Sequence, residues 1–367
     1  MPASPSRSPP PPHPDSDSAP PPRLYTFSLE ERIQQLEGAL EGPLNDATSG
    51  TKEELRRLIR YQASPATVDY PKKTLAAVLV LLHLNPLGEL SVTLTTRSLR
   101  LRSHPGETAL PGGRWEEGDG EEGEWTALRE ANEEIGLPLP STSTSDRPHL
   151  LHLTTLPAFT SRTLLVVLPV VYLLLHPAAS ASQDYLASVL EPNRDEVDAI
   201  FHLPLRSFLL LPAHPSSASS HPSPERPRTR SITASSASPS TIRPPPGSET
   251  LTHSYQDFTW LLSLPYRLHS FSHPYPGVTP SAVTGLTADI CIEVALLAAY
   301  GPALATPEGE GGKERRRLGF ERYAEGQMKW GAIVEEALRM QGQKGLERGE
   351  EVRAVKPAAD DQRTIIR

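Results

Sequence analysis

The sequence predicts one α/β domain, on the basis of two observations. Short apolar runs typical of buried strands alternate along the chain with segments whose apolar residues have helical spacing. Proline is concentrated elsewhere: ten of the 40 prolines lie in residues 1–22 and nine in residues 212–246, which leaves about 300 residues for one core. We therefore expect a disordered Pro-rich arm at 1–24, a domain at 25–307 with a disordered Ser/Pro-rich insert at 213–250, and a charged, partly helical tail at 308–367.

Two amphipathic helices are predicted before the first strand. Residues 28–42 carry apolar side chains three or four positions apart, and Ser28 with Glu31 is typical of a capping box. Residues 51–62 show the same pattern, with Thr51 and Glu54 as the expected capping box. Both helices are expected to pack on the core through their apolar stripes.

The predicted sheet begins with a hairpin. Residues 74–84 form a continuous apolar run, which indicates a strand buried on both faces. The turn at 85–89 leads to alternating, β-branched residues at 90–98, and helical spacing follows at 124–137. Further strands are expected at 149–156, at 163–176 with a break or bulge at Pro169, and at 200–205. Residues 253–266 return to the fold. Helices are expected at 285–301, opened by Thr287, and around 331–341.

Composition and charge exclude several classes of protein. The formal net charge of −8 argues against a nucleic-acid-coating protein, and the single cysteine, Cys291, excludes an intrachain disulfide and a Cys-rich zinc site. The longest apolar run, 164–175, contains Pro169 and is shorter than the roughly 20 residues that span a bilayer. The opening MPASPSRSPPPPHP lacks the apolar region of a secretory signal, and the chain ends in TIIR. We expect a soluble intracellular protein. The sequence does not distinguish among the peroxisome, the mitochondrion and the cytoplasm as its compartment.

Residues 112–137, GGRWEEGDGEEGEWTALREANEEIGL, carry the strongest signal for chemistry. Glu130, Glu133 and Glu134 are spaced i, i+3, i+4, so they share one face of the predicted helix. Three like charges on one face indicate either a solvated surface or a Mg²⁺ site, because Mg²⁺ prefers carboxylate oxygens. Gly112 and Gly113 would let the backbone approach a phosphate or metal without an intervening Cβ.

The order of residue types in this window resembles the Nudix box, G-x5-E-x7-R-E-U-x-E-E-x-G-U, where U is aliphatic. One departure concerns the first acid of that pattern. Asp119 has the expected distance from Gly113 and Glu121 has the expected distance from Arg129, so the loop contains two extra residues and either acid can fill the position. The matching residues are Gly113, Arg129, Glu130, Ala131, Glu133, Glu134, Gly136 and Leu137.

A second motif lies immediately upstream, in residues 94–113. Arg97, Arg100 and Arg102 indicate either a positively charged loop or cations that face the phosphates of a substrate. The segment resembles L-L-T-x-R-[S/A]-x3-R-x3-G-x3-F-P-G-G, the motif of the coenzyme A pyrophosphatase branch of the Nudix family. Leu94, Thr95, Arg97, Ser98, Arg102, Gly106, Pro111, Gly112 and Gly113 match, whereas Thr93 and Leu110 replace the first Leu and the Phe.

Two weaker likenesses to this branch follow. Residues 193–205 are similar to its N-x-D-E-V segment, where Glu196 is either a further metal ligand or general base, or part of a structural salt bridge. Residues 283–290 are similar to its W-G-L-T-A helix start, with Thr284 in place of Trp.

The resemblance implies the Nudix fold, an α/β/α sandwich with a mixed sheet and a catalytic loop–helix–loop. It also implies hydrolysis of a diphosphate joined to a nucleoside, in which Mg²⁺ or Mn²⁺ activates water and the catalytic residues are Arg129, Glu130, Glu133 and Glu134. The implied metal ligands are Glu130, Glu133, Glu134 and the Gly112 carbonyl; the implied substrate-binding residues are Arg97, Ser98, Arg102, Gly106 and Gly113; the additional candidate acids are Glu196, Asp119 and Glu121.

For the substrate, the resemblance implies coenzyme A and acyl-CoA, with adenosine 3′,5′-bisphosphate and (acyl-)4′-phosphopantetheine as products. One alternative is a Nudix diphosphatase for an oxidised dNTP, NADH or ADP-ribose. Another is a catalytically dead Nudix module that binds partners, with the Pro-rich arm docking to an SH3-type domain. No nucleic-acid partner and no membrane span are expected.

Overall fold

The computed structural model describes residues 27–63, 70–120, 123–139, 149–175, 182–209, 251–260, 264–273, 280–302 and 318–347. The predicted arm at 1–24 and insert at 213–250 lie outside these residues, as does the proposed SH3-docking segment. The helices are α1 Leu29–Glu41, α2 Ser49–Arg60, α3 Glu124–Ile135, α4 Ser182–Val189, α5 Gly285–Tyr300 and α6 Trp330–Glu347. The strands are β1 Leu75–Leu84, β2 Leu90–Arg97, β3 Thr108–Ala109, β4 Gly112–Arg114, β5 His149–Thr155, β6 Phe159–Thr160, β7 Val166–Leu175, β8 Val197–Pro204, β9 Thr252–Thr259, β10 Pro265–Ser272 and β11 Val283–Thr284.

A mixed sheet with β1 at its centre forms the frame of the domain. The strand order is β3-β2-β1-β7-β5, and β4, β6 and β8 pair with β1, β7 and β2. Strands β1 and β7 are parallel, with Leu75 opposite Val166, whereas the other pairs are antiparallel. The predicted hairpin of β1 and β2 is present, with Leu82 opposite Val92.

Alternate side chains of β1 enter two hydrophobic cores, one on each face of the sheet. Val80 and Leu82 lie in the core formed with α1, α2 and α5, and Leu79 and Leu81 lie in the core formed with α3 and α4. Helices therefore cover both faces, which confirms the predicted α/β/α class. None of the helices that the structure describes is long and apolar enough to cross a membrane.

The first helix begins as predicted, and the second does not. Ser28 Oγ accepts a hydrogen bond from Glu31 N at 3.2 Å and Glu31 Oε2 accepts one from Ser28 N at 2.7 Å, which completes the capping box of α1. The cap of α2 is Thr48, whose Oγ1 accepts from Thr51 N at 3.1 Å. The prediction of a capping box at Thr51 was wrong because Glu54 is buried and accepts a hydrogen bond from Arg206 instead.

The prediction of a break at Pro169 was also wrong, since β7 runs without interruption. On one side Pro169 lies opposite Val78 of β1. On the other side, β7 pairs with β6 up to Val167 and with β5 from Val170 onward. Pro169 lies in the gap between these two pairings. The missing N–H of proline therefore costs no ladder hydrogen bond there.

The C-terminal part of the described chain adds a second sheet, of order β11-β10-β9, that the sequence did not predict. Helix α5 begins at Gly285, with Thr284 at its N-cap, so the prediction that Thr287 opens it was wrong. Residues 318–347, which belong to the predicted tail, also pack on the domain. Trp330 is buried with its ring centroid 5.0 Å from that of Phe159. A domain boundary near residue 308 stays a prediction.

Candidate active site

Helix α3 lies against the mixed sheet through its apolar face. Ala127, Leu128, Ala131 and Ile135 are buried in the core with β1 and β7, as the spacing predicts. The helix ends at Gly136, whose positive φ of 66° suits the left-handed cap position and whose N–H donates to Asn132 O at 3.0 Å. This packing directs the acidic face of α3 toward strand β4 and the end of β2.

Glu134 is the most enclosed carboxylate of that face. Its side chain is buried, Gly112 N donates to its Oε2 at 3.2 Å, and Arg97 Nη1 lies 4.0 Å from its Oε1. Burial raises the pKa of Glu134 to about 8, and the negative charges of Glu130 and Glu196 act in the same direction. A cation held at this carboxylate would favour the ionised form.

Arg129 connects the loop before α3 to the helix. Its Nε and Nη2 donate to the two oxygens of Asp119 at 2.9 and 3.0 Å, and Asp119 also accepts from Thr126 Oγ1 and Glu116 N, both at 2.9 Å. Asp119 is thus a buried acid whose oxygens are satisfied by hydrogen bonds. Of the two acids that the spacing left open, Asp119 is the one that the structure joins to Arg129, and Glu121 lies outside the described residues.

The same arginine binds the two remaining glutamates of the acidic face. Arg129 Nη1 donates to Glu130 Oε1 and to Glu133 Oε2, each at 3.1 Å. Glu130 is half-buried, and burial raises its pKa, whereas Glu133 is largely exposed. The positive charge of the Arg129 guanidinium therefore offsets part of the repulsion among the three carboxylates.

Two glycines create the room for this arrangement. A Cβ at Gly113 would lie 2.3 Å from Glu130 Oε1, so only glycine admits the carboxylate. A Cβ at Gly112 would lie 2.4 Å from the Ala77 carbonyl oxygen of β1. The Gly112 N–H faces Glu134, and a role of its carbonyl in metal binding stays a prediction.

The loop between β2 and β3 carries the upstream motif. Its ends are tied together, since Gly106 N donates to Arg97 O and Arg97 N donates to Glu107 O, each at 2.9 Å. Gly106 has a positive φ of 73°, which favours glycine. The Arg97 side chain is 29% exposed, yet its Nε is buried and has no hydrogen-bond partner within the described part of the chain. Arg97 thus has spare donor capacity beside Glu134.

The three arginines of this motif do not converge. Arg100 forms an exposed ion pair with Asp195 at 2.9 Å, and exposed Arg102 has no ion-pair or hydrogen-bond partner among the described residues. Only Arg97 contacts a carboxylate of α3. Ser98 is buried, and its N–H donates to Glu196 O at 2.8 Å.

Residues 191–196 connect the end of α3 to the upstream motif, a link that the sequence analysis missed. Glu191 N donates to Ile135 O and Asn193 N donates to Glu134 O, both at 2.9 Å. The Glu196 backbone oxygen then accepts a hydrogen bond from Ser98 N, and the negative charge of its half-buried carboxylate acts to raise the pKa of Glu134. The N-x-D-E-V likeness pointed to this segment but gave no indication of its backbone contacts.

The carboxylates fit a hard divalent cation in their chemistry. In the residues that the structure describes, no three His, Cys, Asp or Glu side chains are gathered closely enough to hold a metal ion. The donor set is nevertheless all oxygen, with buried Glu134 and with Glu130 seated in the space that Gly113 leaves. Glu130 and Glu133 would exchange their bonds to Arg129 for the cation.

The fold and the site define an α/β/α protein with an acidic loop–helix–loop. A family model described as the NUDIX domain matches residues 73–223. The uncharacterized Nudix hydrolase NudL of Pectobacterium atrosepticum is 35% identical over 155 residues, which are 42% of this chain and 70% of that protein. The chain belongs to the Nudix hydrolase family, whose members generally use divalent metal ions.

Two further relatives carry a more specific name. The peroxisomal coenzyme A diphosphatase ndx-8 of Caenorhabditis elegans is 38% identical over 134 residues, 36% of this chain and 50% of that protein. The peroxisomal coenzyme A diphosphatase 1 of Saccharomyces cerevisiae is 33% identical over 181 residues, 44% of this chain and 51% of that protein. The chain thus spans about half the length of these relatives, and α1, α2, α5 and the second sheet lie outside the residues that the family model matches.

Proposed function

We propose that this chain hydrolyses the diphosphate bond of coenzyme A and acyl-CoA, giving adenosine 3′,5′-bisphosphate and (acyl-)4′-phosphopantetheine. The observation that carries the proposal is the 4.0 Å approach of Arg97 Nη1 to Glu134 Oε1. It brings the arginine of the coenzyme A motif to the acidic helix of the Nudix box. The printed names of the worm and yeast relatives support the same substrate class.

We assign the metal-binding role to Glu130, Glu133 and Glu134, with the Gly112 carbonyl as a further ligand. Mg²⁺ or Mn²⁺, when bound, neutralises the diphosphate and lowers the pKa of the attacking water. The i, i+3 spacing keeps Glu130 and Glu133 on one side of the helix, and without a cation the Arg129 Nη1 donates to both of them. Glu134 stays in place through its bond from Gly112 N.

The substrate and proton-transfer roles follow from position. Arg97 has an unpartnered buried Nε beside the carboxylates, and exposed Arg102 lies farther along the same loop, so both are suited to bind phosphate oxygens. Ser98, Gly106 and Gly113 shape the backbone around them. Glu130 accepts the proton of the water, with Glu196 as the second candidate for that base.

The test is a turnover assay with Mg²⁺ on coenzyme A, acyl-CoA, NADH, ADP-ribose and 8-oxo-dGTP, with products identified by mass spectrometry. We expect the highest kcat/KM for coenzyme A or acyl-CoA, and loss of activity in EDTA that Mg²⁺ or Mn²⁺ restores. A higher kcat/KM for another nucleotide would replace the substrate assignment. Hydrolysis of no nucleotide would make the chain a binding module.

A further inference from the structure

A partly buried hydrogen bond joins the catalytic helix to strand β7 of the mixed sheet. The Tyr172 hydroxyl of β7 donates to the carboxylate of Glu124, the first residue of α3. Tyr172 is buried and Glu124 is half-buried, and burial raises the pKa of both groups. The phenol therefore remains a donor at neutral pH, and it satisfies an acceptor that would otherwise be buried without a partner.

Arg32 of α1 lies beside the edge strand β5 and brings a positive charge to it. Its Nη1 donates to the backbone oxygens of His152 and Leu153 at 3.4 and 3.2 Å, and lies 3.1 Å from His152 Nδ1. These residues form the β-bulge of β5, where the register with β7 shifts between His152 and Thr154. The His152 ring lies against the Tyr172 ring, with the two centroids 5.2 Å apart, so Arg32 reaches Tyr172 through His152. The positive charge of Arg32 also acts to lower the pKa of both Glu124 and Tyr172.

We propose that Arg32, Glu124 and Tyr172 form a clamp that positions the catalytic helix for turnover. Arg32 belongs to α1, outside the residues that the family model matches, so this part of the chain would contribute to the activity of the matched domain. None of the three side chains has a role in binding substrate or metal in the function proposed above. They are positioning residues, and the kinetic test rests on the proposed diphosphatase activity.

The position of Glu124 explains why one bond matters for the orientation of α3. The other polar attachments of the helix begin at its third residue: Thr126 and Arg129 donate to Asp119, and the Glu134 and Ile135 carbonyls accept from residues 193 and 191. Among the described residues, the bond to Tyr172 is the only side-chain hydrogen bond that ties the first residue of α3 to the sheet, and Gly123, with no side chain, provides no cap. Release at this point lets the helix tilt, and small displacements of reacting groups lower kcat steeply.

The experiment compares variants at the clamp with a matched pair elsewhere. Tyr172→Phe and Glu124→Ala are expected to lower kcat about tenfold while KM stays within about twofold, because the substrate contacts are untouched. Glu124→Gln should retain most of the kcat, since its amide oxygen accepts the same bond. The double variant Tyr172→Phe with Glu124→Ala should be no worse than either single variant.

Tyr266→Phe is the matched control. Tyr266 of β10 is buried and donates to the buried carboxylate of Asp289 of α5 at 2.6 Å, in the hydrophobic core that does not contain α3. Loss of the Tyr266 hydroxyl should lower the thermal midpoint of unfolding, as loss of the Tyr172 hydroxyl does, but it should leave kcat unchanged. The clamp is rejected if Tyr172→Phe leaves kcat unchanged, if Tyr266→Phe lowers kcat equally, or if Glu124→Gln loses as much activity as Glu124→Ala.

Amide hydrogen exchange gives a readout that does not depend on the substrate. We expect faster exchange in the first two turns of α3 in both Tyr172→Phe and Arg32→Gln. The second variant leaves the Tyr172 side chain in the core unchanged. Unchanged exchange in α3 would overturn the clamp even if coenzyme A is hydrolysed. A wild-type chain that hydrolyses no nucleotide would instead reject the proposed function and leave the exchange result as the test of the clamp.

Discussion

Arg129 and Asp119 form a two-point ion pair, in which Nε and Nη2 of the arginine donate to both oxygens of one buried carboxylate at 2.9 and 3.0 Å. The pair closes a loop that is two residues longer than the family pattern, so the extra length does not separate the loop from the helix. Burial would raise the pKa of Asp119, but the Arg129 guanidinium and the other donors hold it below its usual value. Asp119 is therefore a charged anchor.

Replacement of this anchor should damage both stability and activity. Asp119→Ala removes an acceptor of four hydrogen bonds, and we expect the free energy of unfolding to fall by about 2 kcal/mol. We also expect kcat to fall about tenfold, since Arg129 no longer has a fixed orientation toward Glu130 and Glu133. Urea unfolding and steady-state kinetics measure the two effects. Glu117→Ala, at an exposed acid of the same loop, should change neither; equal effects of both variants would contradict the anchor.

Glu134→Gln should separate catalysis from folding. The amide is nearly isosteric and its oxygen can accept the Gly112 N–H, so the free energy of unfolding of the metal-free chain should be no lower than that of the wild type. Turnover should fall at least about 100-fold, because a neutral amide cannot provide the anionic oxygen that a divalent cation requires. The measurement is kcat at saturating Mg²⁺ together with a urea titration. Retained turnover would reject Glu134 as a metal ligand.

Gly113→Ala tests the space beside Glu130. The new Cβ would lie 2.3 Å from Glu130 Oε1, so the carboxylate must move, and we expect kcat to fall about tenfold or more. Gly38→Ala is the matched substitution, in an exposed turn of α1 where no atom lies within 4 Å of the added Cβ. That change should stabilise the chain by about 0.5–1 kcal/mol and leave kcat unaltered. Full activity of Gly113→Ala would show that the carboxylate does not need this space.

Local sequence patterns predicted the elements whose signals are local. The Ser28 capping box, the hairpin after Leu84 and the apolar face of α3 are all present because their determinants lie within a few residues. Pro169 was misjudged because its tolerance depends on where two other strands stop pairing with β7. The second sheet was missed because its strand β9 is mostly exposed and shows no buried apolar run.

The candidate site divides in the same way. The spacing of Glu130, Glu133 and Glu134 predicted a shared face, but it did not predict that Arg129 lies among them or that Glu134 alone is deeply buried. The spacing also left Asp119 and Glu121 open, since the choice depends on donors such as Thr126. No pattern in the sequence indicated the bond of Tyr172 to Glu124, which joins residues 48 positions apart.

Asp289, the buried acid of α5 that accepts a bond from Tyr266 of the second sheet, should contribute a pH-dependent part of the domain's stability. Asp289 is buried, and burial raises its pKa to about 7, although the Tyr266 hydroxyl and Arg322 act to lower it. Between about pH 4 and 7 the unfolded chain has released a proton that the folded chain retains. The contribution of Asp289 to the free energy of unfolding therefore falls as the pH rises through this window, by up to about 1.4 kcal/mol per pH unit.

Asp289→Asn removes the Asp289 contribution to the pH dependence, because the amide does not ionise. Its oxygen still accepts the Tyr266 bond. We expect the variant to gain stability over the wild type progressively from pH 4 to 7, with a constant difference above about pH 8. Urea unfolding at several pH values measures the difference. Asp46→Asn makes the same chemical change at an exposed acid and should leave the wild-type dependence intact. If the Asp289→Asn curve runs parallel to the wild type from pH 4 to 8, Asp289 ionises as easily in the folded chain as in the unfolded one.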